Sequence, residues 1–393
     1  MAVLHRPKTN GRATAALTTV IVLFLCLGCS GPGALISGNE TRIERLAQLL
    51  SFETRMQQCA IARRSPPYRD PELEQFIGQI LTVLMPAEAT EGIMPRVVLI
   101  SDAALNAYSF PDGAIYLHTG LLTRLENEAE LGLLLAHELI HVTRQHALQV
   151  LMANQEEAAE AFVERSAPDS LSWFQDISAA SGRTGPSDGV LSLGRSLELE
   201  ADRLGLDMVI KANYDPREAL EIFEHLIEDD KKGTGVERAA ALFQALPPFI
   251  PTARRLTDRS VFGKHLQQLL FEQARIELRH GRWDEALRCV YRLLRDAPTH
   301  ACGHFLLGEI LRQRHQAGDV PQALAHYFRA IASDPSFAEP HKAIGLIHFK
   351  EGEARLARGF FERALTLAPY SNDNDYVRSY LTQCIITIEG EAL

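Results

Sequence analysis

Beyond its first 28 residues this 393-residue chain has no apolar run approaching the 20 or so residues of a membrane span, which excludes a bundle of membrane helices. It also lacks a basic surplus. With 40 Lys and Arg against 50 Asp and Glu, its net charge of −10 is the reverse of what a nucleic-acid surface needs, so no nucleic-acid partner is expected. Nor is it depleted in apolar residues: at 46% hydrophobic and 23% charged it is an ordinary globular composition, which excludes wholesale disorder. Its length allows two or three domains and a sizeable core. Cysteine is scarce, at six, and two of these (Cys26 and Cys29) fall near the N-terminus.

What is present begins with an export signal. A basic "HRPKTNGR" precedes the apolar "ATAALTTVIVLFLCLG", which has no basic flank after it. Without residues 1–28 the chain keeps 37 basic and 50 acidic residues, a net of −13, which suits a solvated surface. The segment closes on "LCLGCSGPG", which resembles a bacterial lipobox and implies lipidation of Cys29 as the new N-terminus. Cys26 stands where leucine is usual, and Ser30 rather than Asp follows the cysteine, which the resemblance associates with the outer membrane. The plainer alternatives are an ordinary cleaved signal or a membrane anchor. An exported chain meets an oxidising compartment, where Cys59, Cys289, Cys302 and Cys384 have three ways to pair.

The expected organisation is a lipoprotein-type signal at 1–28, a Gly/Ser/Pro linker at 29–39, a first domain at 40–262 and a second at 263–393. The pattern predicts helices from Glu40 to about Ala60 and from Pro71, with buried strands at "RVVLI" and "AIYLHTG", the second entered through a Pro111-Asp112-Gly113 turn. A long helix is expected from an Asn127 cap, with Glu130 three residues on, to about Met152. Residues 165–190 read as a Ser/Gly/Pro-rich loop, and "RSLELEADRLGLDMVIKA" as a further helix. In the last third, three units ending at Pro298, Pro335 and Pro369 repeat at spacings of 37 and 34 residues. They resemble tetratricopeptide repeats, with an insertion near Gln313 to Ala317, and "DYVRSYLTQCIITI" reads as a capping helix. Each repeat is a helix pair that buries its apolar face only by stacking on its neighbours.

The long helix carries "LLLAHELIHVTRQHA". Residues four apart share one helix face, so His137 and His141 can grip one ion while Glu138 reaches the water beside it. A chance His-Glu-x-x-His turns up in roughly a few per cent of such sequences, so a second feature must decide. A catalytic zinc needs a third protein ligand and an open position. On a continuous helix His146 lies about 180° from His137 and faces away, leaving it a packing or surface role. Glu198 in "ELEAD" is the better third ligand, with Asp202 on the same helix face to accept a bond from a liganding imidazole; Glu200 reads as a solvated acid.

These motifs resemble the gluzincin peptidases that include the CaaX prenyl protease, HtpX and the mitochondrial Oma protease. The likeness runs over roughly residues 95 to 260: Asn106-Ala107, the Pro111–Gly113 turn, Thr-Gly-Leu-Leu at 119–122, the His-Glu-x-x-His helix and Glu-x-x-x-Asp, in that order. With the repeats and the lipobox, the soluble periplasmic branch of β-barrel assembly-enhancing proteases is the nearest likeness. It implies a mainly α chain, an α+β zincin-like domain with a small sheet followed by a repeat solenoid. It implies one Zn²⁺ on His137, His141 and Glu198, and Glu138 as general base. It further implies a periplasmic endopeptidase for misfolded or stalled envelope and outer-membrane proteins, held to the outer membrane through Cys29, its repeats recruiting partners such as outer-membrane assembly machinery.

As in relatives, "AIYLH" is expected to be an edge strand that binds substrate by β-augmentation. The branch often carries a restraining His-Pro after the third-ligand helix; here Leu246-Pro247 or Ile250-Pro251 stands there, without histidine. Arg254 or Arg255 falls where relatives have an arginine, a candidate for steadying the oxyanion. The rival reading is a catalytically silent scaffold built on a protease fold, which the intact His137, Glu138, His141, Glu198 and Asp202 argue against.

Overall fold

The computed structural model describes residues 41–85, 93–153, 188–227, 234–246 and 259–390. The signal, Cys29, the linker, most of the expected 165–190 loop and Arg254 and Arg255 lie outside the described residues.

The first helix, α1 (Arg42–Arg64), starts at a reciprocal capping box between Thr41 and Glu44. Asp70 caps α2 (Pro71–Leu84) by accepting from the Leu73 amide at 3.0 Å, and Pro71 fits the first turn because it has no N–H to satisfy. Three strands follow, β1 (Arg96–Ile100), β2 (Ala107–Ser109) and β3 (Ala114–His118). Their order is β1-β3-β2, with β1 parallel and β2 antiparallel to β3. The strand "AIYLH" is therefore the middle one, paired on both sides and buried at all five positions, not the expected edge. Among the described residues β1 and β2 are the outer strands; the three residues of β2 are too few to leave an alternating signature.

After the short α3 (Thr119–Leu122), the helix expected to run from Asn127 to Met152 divides into α4 (Glu128–Thr143) and α5 (His146–Ala153). Asn127 caps α4 through the Glu130 amide at 2.9 Å. At the other end Gln145 takes φ +54°, a left-handed conformation uncommon for a residue with a side chain, and this turns the chain. α6 (Asp188–Lys211) lies against α4, and α7 (Pro216–Leu220), α8 (Ile222–Ile227) and α9 (Thr234–Ala245) follow.

The remainder is helical: α10 (Arg259–Arg279), α11 (Trp283–Asp296), α12 (Ala301–Arg314), α13 (Asp319–Ser333), α14 (Ala338–Lys350), α15 (Ala354–Leu367) and α16 (Asn374–Gly390). Gly308 and Gly345 hold equivalent places in successive repeats. A Cβ at either would sit 2.5 or 2.7 Å from the ring of Tyr327 or Phe361, so these glycines let paired helices close. The insertion between units is the left-handed turn of His315 and Gly318, held by Arg314 and Gln316 on the Asp319 carboxylate. One apolar core runs from Tyr68 and Leu73 through Leu135 and Phe262 to Leu307 and Ile344, so α10 belongs to both halves. Buried Arg292 joins them again, donating to the Thr123 carbonyl at 2.7 Å. The four described cysteines are all free; none of the pairings allowed by the sequence forms.

Candidate metal centre

Two helices build the site and a third closes it. α4 contributes His137, Glu138 and His141, α6 contributes Glu198 and Asp202, and α9 brings in Arg238. α4 and α6 meet closely at Gly205, where a Cβ would stand 3.1 Å from the His137 backbone nitrogen. A side chain there would push Glu198 and Asp202 off the histidines.

The donor atoms converge. His137 Nε2 and His141 Nε2 are 3.0 Å apart, and the Glu198 carboxylate lies 3.5 Å from the first and 3.4 Å from the second. Donors arranged tetrahedrally at zinc–ligand lengths of about 2.0–2.2 Å lie roughly 3.3–3.6 Å apart. Both His–Glu198 separations fall in that range and the His–His separation is slightly shorter, so the three groups can close on a single zinc. Glu138 is buried beside them, next to Ser109 of β2, and its burial pushes its carboxyl pKa up.

Each surrounding charge has a cause. Burial works against a charged His137, but hydrogen bonds to Asp202 and Glu198 outweigh it and raise its pKa to about 10. Burial, reinforced by the charge of His137, pushes His141 down to about 3. Burial opposes ionisation of Glu198 as well, yet its bond to His137 lowers it to about 2.

Around this set lie residues that secure it. Asp202 Oδ1 is 3.0 Å from His137 Nδ1, as expected of its position in the sequence. Arg238 grips the same carboxylate in a fork, Nε to Oδ2 at 2.7 Å and Nη2 to Oδ1 at 2.6 Å, with Nη1 3.6 Å from Glu198. The sequence held no sign of Arg238, which sits in the unremarkable stretch "VERAAALF". His146 does not face away, as it would on a continuous helix: its Nδ1 lies 3.0 Å from His141 Nδ1, because the turn at Gln145 breaks the helix. Glu200 is half-exposed near Arg144 and His146.

The cleft above these residues has a volume of about 630 Å³. Residues 106–110, including the whole of β2, line one side, and Leu50 and Thr54 of α1 line another.

The fold and the site define a class: a helical metallopeptidase domain with a small sheet, joined to a helical repeat solenoid. The profile of peptidase family M48 matches residues 67–267, about half of the chain, and tetratricopeptide repeat profiles match 271–316 and 315–372. The chain belongs to peptidase family M48. It is 27% identical over 233 residues to the β-barrel assembly-enhancing protease of Yersinia pestis, covering 58% of this chain and 46% of that one. It is 29% identical over 174 residues to a putative β-barrel assembly-enhancing protease of Vibrio cholerae, covering 43% and 36%. It is 25% identical over 199 residues to the mitochondrial metalloendopeptidase OMA1 of Arabidopsis thaliana, covering 50% and 39%. The chain thus matches less than half the length of each of these relatives.

Proposed function

We propose that the protein is a zinc-dependent endopeptidase of the bacterial periplasm that degrades misfolded or stalled envelope and outer-membrane proteins. In this reading lipidated Cys29 tethers it to the outer membrane, and the repeats recruit substrates or assembly machinery. The observation that carries the catalytic part is the convergence of two histidine nitrogens and the Glu198 carboxylate beside buried Glu138, at the floor of a cleft bordered by an edge strand. The names of the relatives support the envelope role.

His137, His141 and Glu198 would hold the zinc. Bound there, zinc supplies Lewis-acid polarisation of the scissile carbonyl and makes water more acidic. Glu138 takes the proton of the attacking water and passes it to the leaving nitrogen. Asp202, clamped by Arg238, fixes the Nδ1–H tautomer of His137 and leaves its Nε2 free for the metal. The outer edge of β2, unpaired among the described residues, pairs with an extended substrate backbone, and pairing of that kind makes little demand on sequence. A protease for misfolded chains needs that tolerance.

The test is cleavage of unfolded casein by the full-length chain. Cleavage that chelation stops and added zinc restores supports the reading. Absence of cleavage by a zinc-loaded, folded protein would favour the silent scaffold.

A further inference from the structure

His146 is one of the few buried polar side chains of the first domain without a structural explanation. It is 3% exposed, and among the described residues its Nε2 has no hydrogen-bond partner, the acid beside it (Glu200) standing 3.9 Å away. Burying a polar nitrogen without a partner is costly, so something else must retain it there. Its other nitrogen faces His141 at 3.0 Å, with the two rings at 90°. The backbone is bent to bring this about. α4 stops at Thr143, Gln145 turns at φ +54°, and α5 opens on His146 itself. Gln149 secures the break by donating to the Arg144 carbonyl at 2.8 Å. On an unbroken helix His146 would be on the opposite side of α4.

The two ligand histidines are therefore supported differently. His137 gives its Nδ1–H to a carboxylate, Asp202. Among the described residues His141 has no carboxylate at Nδ1; His146 Nδ1 is there instead. With Nε2 of His141 directed at His137 and Glu198, its proton belongs on Nδ1, and His146 must then accept at Nδ1 and carry its own proton on Nε2. That places the His146 N–H on the side of Glu200.

We propose that His146 is a positioning residue for the metal site, a neutral imidazole acceptor that fixes the ring orientation and tautomer of His141. The proposal rests on zinc being held by His137, His141 and Glu198. A neutral acceptor in place of a second carboxylate also keeps negative charge down, since Glu198 and Asp202 already flank His137. It makes His141 the less electron-rich of the two imidazole ligands.

The experiment measures zinc affinity of the full-length chain by competition with a chromophoric chelator, together with the visible spectrum of the Co²⁺-substituted protein. It compares the parent with His146→Leu and His146→Asn. Asn sets an amide oxygen at about the place of Nδ1, whereas Leu fills the space without an acceptor. The expected result is a loss of about 10- to 100-fold in zinc affinity for the leucine variant, with a changed Co²⁺ spectrum. The asparagine variant should stay within about threefold of the parent. Should the leucine variant not fold, His146→Ala carries the same comparison. Parental affinity without an acceptor overturns the proposal, and so does an equal loss in both variants, which would make His146 a matter of shape alone. A parent that binds no zinc, or whose affinity ignores Glu198→Ala, overturns the ligand assignment and this proposal with it. Normal zinc binding by the parent with no effect at His146 overturns this one alone.

Discussion

At the scale of single residues, the site is a cluster of charges that stabilise one another. Arg238 is the keystone, since its fork neutralises Asp202 and its third nitrogen approaches Glu198. Removing it leaves a buried Asp202 carboxylate without its guanidinium, and the grip on His137 loosens. Arg238→Ala is expected to weaken zinc binding by about 10-fold or more, with Arg238→Lys restoring part of it, as read by chelator competition. Equal zinc affinity in parent and variant would remove Arg238 from the site. His137, Glu138, His141, Glu198 and Asp202 were legible in the sequence because helical spacing places their partners on shared faces, and the structure brings them together. Arg238 was not, because a lone arginine on an amphipathic helix looks like any solvated one until the chain folds over the site. Arg254 and Arg255, outside the described residues, keep only the role that resemblance implies.

At the scale of elements, α4 is held at its start by a buried acid. Glu130, fully buried, accepts from Asn127 Nδ2 at 2.8 Å and from the Glu126 amide at 2.9 Å, and His225 of α8 lies 3.4 Å away. The Glu130 carboxylate raises the pKa of His225 above its ordinary value, with burial opposing. A folded-state pKa above the unfolded value of about 6.5 gives stability that is fully present below pH 6.5 and disappears as pH rises through the folded value. Burial raises Glu130 as well, so its contribution also falls as pH rises. His225→Gln should therefore lower the unfolding temperature clearly at pH 6 and little at pH 9, as followed by circular dichroism. The same loss at both values would contradict the pairing. The elements show what periodicity can and cannot carry. α1, α2, β1 and β3 came through because their caps and apolar patterns are local. The α4–α5 break did not, because Gln145 adopts a left-handed turn that no glycine announces. β2 did not, because three residues cannot show alternation; the edge role expected of β3 came from the resemblance to relatives, and β3 lies in the middle of the sheet.

At the scale of the whole molecule, the peptidase half and the repeats share one apolar core. Leu270 of α10 is fully buried in it, in a helix that touches α2 and α3 on one side and pairs with α11 on the other. Leu270→Ala should cost about 2–5 kcal/mol and lower the stability of both halves together, so that zinc release and loss of helix coincide on heating. Two separated transitions, with the metal retained after the repeats melt, would show independent halves. The repeats were legible because Gly, Ala and Pro recur at fixed offsets. Continuity of the core was not, because it depends on how α10 packs rather than on any motif within it.

The most direct measurement is the zinc content and casein cleavage of the full-length chain, side by side with Glu138→Gln. The expected result is about one zinc per chain in both, with cleavage in the parent and a loss of about 10²- to 10⁴-fold in the variant. Cleavage by the variant at the parental rate, or cleavage by a parent that holds no metal, would contradict it.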